Sequence, residues 1–197
     1  MSIQQELFLL PLDYVKNHLD IHHKADDILL YEFIEGAQKR FEGYVNRPIY
    51  GTTEEVEHFH GGTRLITTYF PFDPSRVTVE DVVRENTLSD DEVHVEIETG
   101  FIFRTGENTR KQTRFEKGIN RWKVSYYPGL EFHPRWDDYM REHIATSLRD
   151  LIADWYENRA PILGEERFGG GSVISYRNLP LSHRVKAVWD EIGRDLF

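Results

Sequence analysis

The chain has 197 residues, enough for one domain with an inserted subdomain, and no cysteine, which excludes thiolate nucleophiles, zinc-thiolate sites and a disulfide framework. Net charge is -10, and it is uneven: residues 1–100 hold 8 Lys+Arg against 20 Asp+Glu, residues 101–197 hold 16 against 14. That balance argues against a broad grip on the DNA backbone, which needs Lys and Arg to neutralise phosphates.

A hydrophobic fraction of 39% with 13% aromatics marks a folding chain despite a mean hydropathy of -0.58. Residues 1–30 lack a signal-peptide pattern, and no run approaches the roughly 20 apolar residues that span a bilayer. A soluble, unexported protein is expected.

In chain order, Leu12, Val15 and Leu19 predict a short helix over 12–19, with Asp13 in its first turn. Leu30, Ile34, Ala37, Phe41 and Val45 recur at steps of four, three, four and four and predict a long amphipathic helix over 26–45. Asp26 or Asp27 is its expected cap, and Arg47-Pro48 its stop.

From Val56 to about Tyr127 the period becomes two. Residues 56–60, Gly61-Gly62 and 63–69 predict a hairpin, since two glycines supply positive backbone angles for a tight turn. Further short strands are expected at 77–79 with Val82-Val83, 93–97, 101–103 and 122–126. Pro128-Gly129 closes this region, and Met140, Ile144, Leu148, Leu151 and Trp155 then predict a second long helix to about Asn158. Phe168-Gly169-Gly170-Gly171-Ser172 reads as a hinge or loop. Leu181, Val185, Val188 and Ile192, with Trp189 beside them, predict a last helix over 180–197.

The chemistry-bearing candidates each have a plainer explanation. His58 and His60 share one face of a strand and, with Glu57 or His94, would begin a metal site, yet alternating strands place polar residues on a wet face anyway. Paired acids such as Asp26-Asp27, Glu54-Glu55, Asp90-Asp91 and Asp137-Asp138 point in different directions and suit caps and turns better than acid-base catalysis. The glycine run lacks the Lys-Ser/Thr that makes a phosphate loop. No nucleophile elbow, zincin or dinucleotide motif occurs. No cofactor, no metal and no catalytic residue are expected. Arg104 to Lys117, with Arg110, Lys111 and Arg114 at its centre, is either a solvated loop or a loop that touches an acidic partner or nucleic acid.

The layout carries a resemblance. The opening Pro11-Leu12-Asp13-Tyr14-Val15-Lys16-Asn17-His18-Leu19-Asp20-Ile21, then Asp26-Asp27-Ile28-Leu29-Leu30 and the ending Phe41-Glu42-Gly43-Tyr44-Val45-Asn46-Arg47-Pro48, resembles the N-terminal signature of phage head-tail connector (adaptor) proteins. Trp122-Lys123-Val124-Ser125-Tyr126-Tyr127-Pro128-Gly129 is similar to the family's last strand and turn, Trp155-Tyr156-Glu157-Asn158-Arg159 to the end of its second main helix, and Leu179-Pro180-Leu181 to its tail segment. None of these motifs is catalytic; their order and spacing carry the likeness.

The resemblance implies an α+β fold: a small helical bundle with an inserted antiparallel β subdomain. On that template, residues 1–50 and 130–165 form the helical core, 51–129 the insert, and 166–197 a hinge and partner-docking segment. It also implies a virion structural protein, assembled in the host cytoplasm, that joins a ring, usually of twelve subunits, below the portal protein. Neck and tail completion proteins attach to such a ring, and DNA passes through without sequence-specific binding. An acidic channel wall agrees physically, because it repels the backbone and lets it slide. Gly169, Gly170 and Gly171 would then free the last helix. Leu181, Val185, Val188, Trp189 and Ile192 would lie in a groove of the portal or a neighbouring subunit, or else fold back on their own core. Arg110, Lys111 and Arg114 would face a neck component or another ring subunit. A metal-dependent or carboxylate hydrolase and a DNA-binding neck protein are the rival readings.

Overall fold

The computed structural model describes residues 8–106, 112–158 and 181–195. Its elements are helices α1 (Leu12–His18), α2 (Asp27–Val45), α3 (Asp138–Glu157) and α4 (His183–Asp195). Between α2 and α3 lie strands β1 (Glu55–Phe59), β2 (Leu65–Ile66), β3 (Thr78–Asp81), β4 (Asn86–Thr87), β5 (Val93–Glu96), β6 (Phe101–Thr105), β7 (Gln112–Thr113) and β8 (Trp122–Tyr126). This is a mixed α+β architecture, helices plus an inserted antiparallel β part. The chain divides into two compact units, residues 1–46 with 137–197, and residues 47–136.

In the helical unit the 3.6-residue period sets the buried stripes. Helix α2 buries Leu30, Phe33, Ile34, Ala37, Phe41 and Val45, and stops where Asn46 turns left-handed at φ 53°. Asp26 stands at its N-cap, where its carbonyl accepts from the Leu30 amide at 2.9 Å but its side chain makes no cap bond; its carboxylate accepts from the Tyr156 phenol at 2.5 Å. Asp27 pairs with Lys16 at 2.5 Å, tying α1 to α2. Helix α3 is capped by Asp137, whose Oδ1 accepts from the Met140 amide at 2.8 Å. It buries Met140, Ile144, Leu148, Leu151, Ile152 and Trp155.

Helix α4 is packed within this same unit. Val185, Trp189 and Ile192 are buried, and the Trp189 ring meets Phe41 edge-on at 5.3 Å and Tyr44 at 5.4 Å. Its indole N–H donates to Ser147 Oγ at 2.8 Å. Tyr44 donates its phenol proton to Asp190, and Arg184 lies 3.4 Å from Asp150.

The β unit holds two sheets. One has the order β1-β8-β3-β4; in the other β6 is central, with β5 on one side and β2 and β7 along the other. All pairs are antiparallel. Inward residues of both sheets (Leu65, Val79, Ile102, Trp122, Val124 and Tyr126) share one core with Phe72, Leu88 and Phe115. Strand β8 shows the cause directly, with Trp122, Val124 and Tyr126 buried and Lys123 and Ser125 only partly so.

The hairpin expected at Gly61-Gly62 does not form. Strand β1 pairs with β8 and β2 with β6, so the segments flanking the glycines enter different sheets. The glycines serve a close approach instead: Gly62 and Phe115 exchange backbone hydrogen bonds at 3.1 and 2.8 Å, and a Cβ on Gly61 would lie 2.2 Å from the Glu116 carbonyl oxygen. Strand β3 also ends at Asp81, leaving Val82 and Val83 in the turn beyond it.

Candidate partner-binding surfaces

Three surfaces hold the features that packing leaves over. The first is the α4 face. Its apolar stripe, expected to seek a partner, is occupied inside the chain: Trp189 and Val185 are 0% and 1% exposed, and Ile192 is buried too. This is the second of the two expected arrangements, the helix folded back on its own core; Trp189 is seated on Phe41, Tyr44 and Ser147, so a partner reaches it only where α4 leaves that seat. Leu181 and Val188 are only partly covered.

The second surface is a groove of about 300 Å³ between α3 and α4. Val185 and Val188 line it with Tyr139, His143, Glu142 and Asp150. Tyr139 stands 67% exposed, its ring 4.1 Å from that of His143. A shallower hollow lies on the other side of α3, bordered by Leu9, Pro11, Tyr14 and Arg141.

The third surface is one end of the first sheet, where the turn after β3 meets the loop before β8. Asp81 is buried, and its carboxylate accepts from Arg121 Nε at 3.1 Å and from Nη2 at 2.7 Å. Arg121 also reaches Glu116 at 2.8 Å, and so does Arg84. The guanidinium of Arg121 holds the Asp81 carboxyl below its ordinary range. On top of this network Val83 and Ile119 are 69% and 89% exposed. Sequence periodicity misses this feature, since Val82-Val83 reads as strand and Ile119 lies in no predicted element.

The remaining candidates separate. His58 is exposed, and His60 Nδ1 accepts from the Asn120 amide at 2.9 Å. Glu57 is taken by the Tyr126 phenol and by the Thr68 amide and hydroxyl, while His94 packs by Phe103. Among the described residues no three His, Asp or Glu side chains group as metal ligands. Of the basic interval, Arg114 is exposed, and Arg110 and Lys111 lie outside the described residues, as do Gly169, Gly170 and Gly171. Among the described residues no helix is long and apolar enough to cross a membrane.

A family model described as "Phage gp6-like head-tail connector protein" matches residues 10–123. The chain belongs to that family. The connector's role is accordingly structural, at the head-tail junction of a phage-like particle. A chain of a solved structure entitled "Neck of empty GTA particle computed with C6 symmetry" is similar in fold, with a TM-score of 0.55 and 15% identity over 97% of the connector and 91% of that chain. No curated protein matches. The matched segment includes α1, α2 and the Arg47-Pro48 stop, the N-terminal part of the sequence resemblance, whereas its stretches 124–129, 155–159 and 179–181 lie outside the match.

Proposed function

We propose that the connector assembles as a ring of identical subunits beneath the portal protein, extends the DNA channel and presents the attachment surface for neck and tail completion proteins. The observation that carries this is the family match over residues 10–123, to which the fold likeness over nearly the whole chain adds support. The ring is of twelve copies, assembled in the host cytoplasm, and has no catalytic function. The acidic balance of residues 1–100 suits a channel wall along which DNA slides without sticking. A DNA-gripping neck protein would need the opposite sign.

Within this reading Leu181, Val185, Val188, Trp189 and Ile192 are the candidate contact for a portal or neighbouring subunit, the buried three only where α4 leaves its seat, and Gly169, Gly170 and Gly171 are the candidate hinge before it. Arg110, Lys111 and Arg114 face the next neck component. Their charge reversal is expected to weaken tail joining. Electron microscopy of purified particles with this protein localised tests the whole: a ring between portal and tail is the expected density, and its absence there rejects the reading. Stoichiometric zinc or manganese in the purified protein would instead favour the hydrolase.

A further inference from the structure

We infer that the ring contact is made by the exposed tip of the β unit, entering the groove between α3 and α4 of a second copy. This rests on the ring reading above and names its interface.

The tip is unusual because its apolar side chains are exposed on a tightly held backbone. Ile119 is 89% and Val83 69% exposed. Around them, the Val82 amide donates to the Arg121 carbonyl at 2.8 Å, the Gly118 amide to the His60 carbonyl at 2.8 Å, and the Asn120 amide to His60 Nδ1 at 2.9 Å. The Val83 amide donates to Asp81 Oδ1 at 3.2 Å, and the Trp122 indole donates to the Glu116 carbonyl at 2.8 Å. Little conformational freedom remains to be lost on binding, which is the condition under which an exposed side chain converts buried area into affinity. Within the chain, holding isoleucine and valine in water in this way gains nothing.

The groove supplies what the tip lacks. It offers an apolar wall at the partly covered Val188, above the buried Val185, with an aromatic rim at Tyr139. Its Glu142 is the acid for the exposed Lys117 beside Ile119, while Asp150 is already paired with Arg149 and Arg184, and Arg84 of the tip with Glu116. Residues 1–46 and 137–197, the unit that contains the groove, hold 19 Asp+Glu against 12 Lys+Arg. A second copy therefore brings an apolar tip to an apolar groove and sets Lys117 against Glu142. The tip and groove belong to different surfaces, so their contact is heterologous and repeats from copy to copy, as a closed ring requires.

The absence of cysteine makes the test clean. Chains bearing only Ile119→Cys and chains bearing only Tyr139→Cys, both at exposed positions, are mixed, assembled into particles and oxidised. A mixed disulfide dimer that neither chain forms alone is expected, and the doubly substituted chain should give a ladder of multimers. Lys117→Glu should lower the assembled fraction about tenfold, as like-charge contacts do, and Glu142→Lys in the same chain should restore it. Rings seen by microscopy without the mixed dimer, or Ile119 cross-linked to a different protein, overturn this contact and leave the ring reading standing. Particles with no ring remove both.

Discussion

The Trp189 indole donates to Ser147 Oγ at 2.8 Å, and Ser147 in turn donates to the Ile144 carbonyl at 2.7 Å, so a single hydroxyl links α4 to the backbone of α3. Both side chains are buried. Trp189→Ala should cost about 3–5 kcal/mol, the range for removing a large aromatic side chain from a core. Ser147→Ala should cost about 1–3 kcal/mol, because it leaves the indole N–H without its partner. Urea unfolding midpoints measure both. Deleting residues 172–197 uncovers Phe41 and should likewise destabilise the helical unit, so loss of head attachment in that truncation would not by itself report a docking segment.

Asp81 couples the β unit to acid pH. Its carboxyl is held low chiefly by the Arg121 hydrogen bonds, with backbone amides of Val83 and Arg84 helping against the effect of burial. A carboxyl lowered in the folded state contributes stability that is present above its unfolded value, about pH 4, and lost as pH falls through the lowered one. Unfolding midpoints measured from neutral pH downward should therefore drop below about pH 4. In Asp81→Asn that drop should be shallower and the midpoint at neutral pH lower, by about 1–3 kcal/mol of stability.

Tyr126 gives the opposite limb. Burial, then the hydrogen bond to Glu57, pushes its phenol well above the ordinary range. The folded state thus gains stability that is present below about pH 10 and lost as pH rises through the raised value. In a spectrophotometric alkaline titration, Tyr126→Phe should remove one late-ionising phenol. It should also lower stability at neutral pH by about 1 kcal/mol, since Glu57 keeps Thr68 as a partner.

Gly61 is a backbone position that no side chain can take. Its φ is +88°, and a Cβ would meet the Glu116 carbonyl at 2.2 Å. Gly61→Ala should cost well over 1 kcal/mol by combining φ strain with a backbone clash. Gly43→Ala, where nothing stands within 4 Å, should be neutral or slightly stabilising. Thermal unfolding of the two variants side by side checks the contrast.

The sequence by itself determined the elements whose signal is local. The stripes of α2, α3 and α4 follow from apolar side chains at 3.6-residue spacing, β8 from strict alternation, and family membership from the order of α1, α2 and their Arg-Pro stop. Only the tertiary structure decided where those surfaces went. An amphipathic stripe states that a face will be buried, not against what, so Trp189 was legible as apolar while its seat against Phe41 and Ser147, 42 residues away from the latter, was not. The same holds for β1 and β8, which pair across more than 60 residues while the glycines between β1 and β2 suggested a local turn. Likewise nothing near Asp81 in the chain announces Arg121 as its partner. Periodicity is a property of neighbours in sequence, whereas pairing is chosen among all the surfaces that the folded chain brings together.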